Sequence, residues 1–295
     1  MRLIKTIPLL LIFIFSVFIT SSVQAKDKGQ EAYNAGKYEQ ALKIWAKEIT
    51  KYEKRGKAAK CPYYTKAGAV AYRLGKMDLA QRYLESARYS VSKNEKTYDL
   101  LVKIYRNIDN LSKEIDALEY YVKHYPDGKD FKAYQKRLFM TYVESENWQD
   151  GLNLWPKIAS EVNDSLAYET GLLKIYVGLD KDREALPLSL ELVKKDRKNI
   201  PALDFLGKHY FWLAEHSYQA ENKAYEAHRT VAQYNHLLKA YKVITVNFKK
   251  SLDYFQMLYK IKPTAKTATF LGDVYARLSD AKNAAYYHAM AKKLK

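Results

Sequence analysis

The chain has 295 residues, 50 Lys and Arg against 33 Asp and Glu for a formal net charge of +17, and a single cysteine. One cysteine closes no internal disulfide, so the chain is not a small cross-linked secreted scaffold and its stability must come from packing. Glycine (11) and proline (7) are scarce, tyrosine reaches 27 and no stretch alternates cleanly with period two, which excludes the β classes and leaves an all-α chain.

The first residues form a separate device. Arg2 and Lys5 give a positive start, Ile7 to Thr20 an apolar run, and Val23-Gln24-Ala25 a small-x-small ending of the kind signal peptidase cuts. A run of 14 residues is short for a transmembrane helix, which needs roughly 20. Residues 1–25 are therefore expected to be a cleaved signal peptide, the alternative being an uncleaved anchor. Cys61 lies far from the cut, so no lipid-attachment box is present. Cleavage would lower the formal charge from +17 to +15, since Arg2 and Lys5 are lost. Residues 26–295 then form an exported chain, expected in the periplasm, with the medium as the open alternative.

From there a block keeps returning. It appears as Gly36-x-Tyr38-x-x-Ala41-x-x-x-Trp45 and again as Gly75-x-Met77-x-x-Ala80-x-x-x-Leu84, the latter preceded by Tyr64-x-x-Ala67-Gly68. The unit from Tyr98 keeps Leu101, Tyr105 and Pro126 but has Glu114 at the small position. The next, from Tyr134, keeps Leu138, Tyr142, Gly151 and Trp155, and the one from Leu166 keeps Leu172, Tyr176 and Ala185. Leu206-Gly207-x-x-Tyr210 with Pro263, and Leu271-Gly272-x-x-Tyr275 with Ala284 and Ala291, complete the series. Apolar residues inside each unit recur at three and four, as in Tyr98, Leu101, Val102 and Tyr105, which is helical spacing. Turns are expected at Gly36, Gly75, Asp109-Asn110, Asn147 and Ser279-Asp280, with breaks between hairpins at Pro126-Asp127-Gly128, Pro201 and Pro263.

Taking Ala41, Ala80, Glu114, Gly151, Ala185, Ser251 and Ala284 as equivalent gives intervals of 39, 34, 37, 34, 66 and 33. A small residue at each of these places lets two helix backbones approach, while the large residues fill the space beside the contact. These residues resemble the tetratricopeptide repeat, a helix-turn-helix unit of about 34 residues. The resemblance implies an α-solenoid of about six or seven degenerate hairpins.

The 66-residue interval marks an insertion at about residues 218–246, with continuous helical spacing in Tyr225, Val231, Tyr234, Leu237, Leu238, Tyr241 and Ile244. No glycine or proline lies between Gly207 and Pro263, so a long projecting hairpin is favoured over an extra helix pair. The apolar content predicts packing on another body, either the terminal repeat or a second chain, and a homodimer stays open. Pro156 and Pro187 fall in second helices, where each implies a bend or a delayed helix start.

Catalytic signatures are missing from the sequence: no Gly-rich phosphate loop, His-Glu-x-x-His, Gly-x-Ser-x-Gly or Cys-x-x-Cys occurs. His209, His216, His228 and His236 cluster in the unusual segment, but at spacings of 7, 12 and 8 no pair offers two ligands to one ion from adjacent turns. No cofactor, metal site or enzymatic activity is expected. In tetratricopeptide arrays the concave surface comes mainly from first-helix positions outside the repeat pattern. The resemblance therefore implies a partner-binding groove at Tyr72, Arg73, Lys103, Arg106, Asn107, Lys136, Met140, Lys174, Val177, Lys208, Phe211, Trp212 and Arg277.

Periodic cations with interspersed aromatics would suit an acidic or carboxylate-ended peptide. The likeness to the two-carboxylate clamp of chaperone-binding relatives is loose, since that clamp wants asparagine where this chain has Lys103 and Lys174. Nucleic acid is not expected, because the positive charge is scattered and an exported chain seldom meets it. The reading is a non-catalytic protein-interaction scaffold of the bacterial envelope. The rival is an accessory protein that binds an envelope glycan or anionic polymer, with peripheral association to the envelope in either case.

Overall fold

The computed structural model describes residues 27–295, so the expected signal peptide lies outside the described residues. Seven helix pairs follow one another: α1 (Lys28–Asn34) with α2 (Tyr38–Lys54), α3 (Tyr64–Arg73) with α4 (Met77–Ala87), α5 (Glu95–Asn107) with α6 (Leu111–His124), and α7 (Phe131–Glu144) with α8 (Trp148–Ile158). Then come α9 (Leu166–Gly178) with α10 (Asp182–Lys195), α11 (Ile200–Ala227) with α12 (Val231–Ile261), and α13 (Ala265–Arg277) with α14 (Ala281–Lys293). No strand occurs among the described residues, and the fold is an α-solenoid. None of these helices is long and apolar enough to cross a membrane.

Six of the seven pairs turn in the same way. A residue in the left-handed region stops the first helix: Gly36, Gly75, Asp109, Glu146, Asp180 and Ser279, at φ between 53° and 73°. The next amide then returns to a carbonyl five residues back, Lys37 to Ala32, Lys76 to Ala71, Asn110 to Tyr105, Asn147 to Tyr142, Lys181 to Tyr176 and Asp280 to Tyr275, each at 2.9 Å. This bond satisfies a carbonyl that the helix end would leave open and fixes the direction of the next helix. The turn at Asp180 carries no glycine or asparagine and was not among the expected ones.

The small positions all sit where the hairpins close. Ala41, Ala80, Ala185 and Ser251 are fully buried and Ala284 nearly so. Ser251 Oγ donates to the Gly207 carbonyl at 2.8 Å, and a Cβ on Gly207 would stand 2.7 Å from the Phe255 ring. That crossing accepts glycine alone. Helices run through both prolines, since α8 starts eight residues before Pro156 and α10 five before Pro187, which excludes a delayed start.

The chain divides into two compact units, one closing at Ser92 and the other opening at Lys93. In the first, Trp45, Ile49, Tyr64, Val70 and Leu84 form the core around α2, α3 and α4. Asp27 caps α1 and accepts Trp45 Nε1 at 3.0 Å, while Lys66 pairs with it at 2.8 Å. The cysteine is buried here, and burial pushes its thiol up.

In the second unit each hairpin packs on its sequence neighbours, and the first helices α7, α9 and α11 also meet in succession. The 66-residue interval is a single hairpin of two long helices, with 28 residues in α11 and 31 in α12. Its basal half shares a core with the terminal repeat, through Ile244, Phe248, Phe255, Leu271 and Val274. Of the segment 218–246, Ile244 joins this core with Tyr218 and Tyr241 packed against it, whereas Val231, Tyr234 and Leu238 are exposed, so packing on the terminal repeat reaches only the segment's base.

Candidate partner-binding surface

The expected groove residues fall in both units. Tyr72 and Arg73 belong to the first, on α3, where the Arg73 guanidinium lies 4.0 Å over the Tyr38 ring. In the second unit Lys103, Arg106 and Asn107 are exposed on α5, Lys136 and Met140 are half-buried on α7, and Lys174 and Val177 are exposed on α9. Phe211 departs from the expectation. It is 6% exposed and belongs mainly to the core under α11, whereas its neighbour Trp212 is 47% exposed.

Several of the cations are not free. Asp99 holds Lys103 at 2.5 Å and Lys96 at 2.7 Å, and accepts the Tyr134 hydroxyl at 2.6 Å. Burial alone would raise its carboxyl, but these three donors outweigh it and leave it below the ordinary carboxylate range. Lys208 pairs with Asp204 one turn earlier on α11. Arg277 reaches from α13 to Glu215 of α11, with Nε to Oε2 at 2.7 Å and Nη2 to Oε1 at 2.5 Å, and lies 4.5 Å over Tyr218. Burial opposes the charge on Glu215, yet the Arg277 and Gln219 hydrogen bonds lower its carboxyl overall.

Two clefts bring together Lys174, Val177, Lys208, Phe211, Trp212 and Arg277, whereas Lys103, Arg106, Asn107, Lys136 and Met140 line neither. One, of about 280 Å³, is lined by Lys174 and Val177 of α9, Asp204, Phe205 and Lys208 of α11, and Trp148 of α8. The indole lies where a Cβ on Gly178 would come within 2.5 Å, so the end of α9 is cut back to admit it. The other, of about 640 Å³, lies between α11 and α13 and is lined by Phe211, Trp212, Glu215 and Gln219 on one side and Lys266, Phe270, Asp273 and Arg277 on the other. Phe211 and Phe270 meet edge to face at its floor, with centroids 5.2 Å apart.

Both clefts use a single stripe of α11: Pro201, Asp204, Phe205, Lys208, Phe211, Trp212, Glu215 and Gln219, stepping by one, three and four residues. At 1.5 Å per residue that face runs for roughly 27 Å. Trp148, Phe270 and Lys266 were missed in the sequence. Trp148 was legible as a repeat residue only, and nothing in a one-dimensional pattern says that the third wall of the smaller cleft comes from the preceding repeat.

Helical hairpins that pack on their neighbours and present first helices along one side are the architecture of repeat-type interaction scaffolds. A family profile for the N-terminal tetratricopeptide-repeat region of Psidin matches residues 31–153. Over these residues the chain is similar to a tetratricopeptide-repeat family, and its α-solenoid fold agrees with that likeness. Among solved structures, a Bacteroides ovatus ATCC 8483 protein, provisionally described as protein-binding, aligns at 15% identity over 74% of this chain and 98% of its own, with a TM-score of 0.50. A tetratricopeptide-repeat protein from Parabacteroides merdae ATCC 43184 aligns at 13% identity over 91% of each chain, with a TM-score of 0.39. MamA from Desulfovibrio magneticus RS-1 aligns at 14% identity over 68% of this chain and 94% of its own, with a TM-score of 0.46. No curated protein matches the chain.

Proposed function

We propose that this is an exported, non-catalytic scaffold of the bacterial envelope that captures a protein partner along α11. The stripe from Pro201 to Gln219 carries the reading, since it joins two clefts on one helix face and supplies apolar floors with charged rims to both. Apolar pockets with a few convergent polar groups are what side-chain recognition requires. An extended or helical segment of the partner would place one apolar side chain against Val177 and Trp148 and another against Trp212 and Phe270. Lys174, which makes no ion pair among the described residues, and Lys266 at the rim of the larger cleft favour a partner with acidic residues beside those anchors.

Export rests on the first 25 residues, with their positive start, apolar run and small-x-small ending. N-terminal sequencing of the processed protein should return Lys26. Recovery of Met1 would remove the basis for an envelope location.

The test of the surface is photo-crosslinking in envelope extracts, with a benzophenone side chain at Trp212 or Val177 and a control at Tyr89, which is exposed in the first unit. A discrete adduct at the first two positions and none at the control is expected. Trp212→Ala combined with Lys208→Glu should lower capture at least tenfold with helicity unchanged. Undiminished capture by that pair would place the contact elsewhere. Preferential binding to a glycan array would replace the protein partner with a carbohydrate. Against that rival stands the burial of Tyr64, Tyr98, Tyr105 and Tyr121, which leaves these rings unavailable for stacking on sugars.

A further inference from the structure

The long hairpin has a second side that the partner-binding stripe does not use. The face of α12 opposite its buried residues Leu237, Ile244 and Phe248 carries Lys239, Lys242, Val243, Val246 and Lys249. Val243 is 63% exposed and Val246 is 52% exposed, with Val231 at 79% near the tip, so the aliphatic groups stand out in solvent between the lysines. From Val231 to Leu252 the helix has four lysines and no carboxylate, the first being Asp253, one turn beyond Lys249. The three lysines named here make no ion pair among the described residues, unlike Lys103 and Lys208 on the other surface.

We propose that this face lies on an anionic phospholipid surface. A helix that shows lysines and aliphatic side chains on one side meets headgroup phosphates with the first and sinks the second into the acyl boundary. The observations favour a membrane over a second copy of the chain, because two such faces would oppose lysine to lysine with no carboxylate between them. Length also fits. Helices of 28 and 31 residues reach roughly twice as far as the others at 1.5 Å per residue. Beyond Tyr218 and Tyr241 the two helices of the hairpin pack on each other, as Tyr225 does on Tyr234, and the distal face is left open.

The test uses the protein as the cell processes it, carrying Val243→Cys labelled with an environment-sensitive bimane. Cys61 is buried and does not compete for the label. A second protein is labelled at Ala220→Cys on the outer side of α11. Vesicles of phosphatidylglycerol and phosphatidylcholine in equal parts should shift the emission at position 243 to the blue and leave position 220 unchanged. Pure phosphatidylcholine should produce no shift. Lys239→Glu, Lys242→Glu and Lys249→Glu together should weaken the vesicle response at least tenfold, since each lysine near an anionic surface contributes roughly a fivefold factor. The local label keeps the result separate from any lipid contact made by the N-terminal apolar run.

No shift with the anionic vesicles, or an equal shift at both positions, would overturn the proposal. A shift that appears without vesicles and grows with protein concentration would assign the face to self-association instead.

Discussion

Glu114 occupies a position that alanine, glycine or serine fills in the other repeats, and its side chain is wholly buried. It is tolerated because Arg137 of α7 meets it with both ends of the guanidinium, Nε to Oε1 at 2.7 Å and Nη2 to Oε2 at 2.9 Å. Arg137 also holds Glu144 at 3.0 Å, and these carboxylates keep its charge strongly favoured despite partial burial. The asymmetry of buried pairs then makes a definite prediction. Arg137→Ala leaves a carboxylate with no counter-charge inside the hairpin and should cost about 3–5 kcal/mol. Glu114→Ala restores the small residue and leaves Arg137 with Glu144, so it should cost less than half as much. Urea unfolding of the two variants, followed by circular dichroism, checks the order, and equal losses would contradict it.

Asp99 and Glu215, like Asp27 beside Lys66, are carboxylates that hydrogen-bonded cations lower below their ordinary values, 3.8 for Asp and 4.5 for Glu. Their unfolded forms bind protons first as pH falls, so their contribution is complete above those values and is lost as pH drops through the folded ones. Acid titration should therefore show destabilisation beginning below about pH 4.5, and Asp99→Asn should flatten that limb while lowering stability at neutral pH. An unchanged acid limb in that variant would show that Asp99 does not carry the linkage.

At the scale of the helical element, the sequence told much and missed particular things for identifiable reasons. The small positions are local: Ala41 or Ala80 marks a crossing because backbone approach forbids anything larger, so period and crossings could be read together. Turns marked by glycine, by an Asp-Asn pair, by Asn147 or by Ser279-Asp280 were equally plain, but Asp180 adopts the same left-handed geometry without a residue that advertises it. Replacing Glu146 by glycine should raise the unfolding midpoint by the equivalent of about 1 kcal/mol, because the strain of a side chain at φ 60° disappears. The groove lysines were legible as positions and not as charges. Asp99 and Asp204 stand four residues before Lys103 and Lys208, a spacing visible in one dimension, whereas Glu215 and Arg277 are 62 residues apart and meet only because α11 is long enough to pass α13.

For the molecule as a whole, the consequence of neighbour-only packing is that damage stays local. The terminal pair α13 and α14 is joined to the rest of its unit chiefly through α12 and through the Arg277–Glu215 link to α11. Its own closure depends on Gly272, where a Cβ would come 1.9 Å from the His288 ring, while His288 Nε2 lies 3.0 Å from Asp273 Oδ1. Gly272→Val should therefore force α13 and α14 apart. In a one-dimensional array the energetic cost is confined to the repeat and its interface. Hydrogen exchange should show lost protection in residues 265–293 and in the part of α12 that faces them, with α5 to α10 protected as before. The larger cleft would lose its α13 wall, so capture through Trp212 should fall even though the substitution touches no proposed contact. The smaller cleft at Lys174 and Val177 should keep its geometry, because its walls come from α8, α9 and the start of α11. Uniform loss of protection across all ten helices of the second unit would mean that the unit unfolds cooperatively, and the two clefts would then have to be treated as one thermodynamic site.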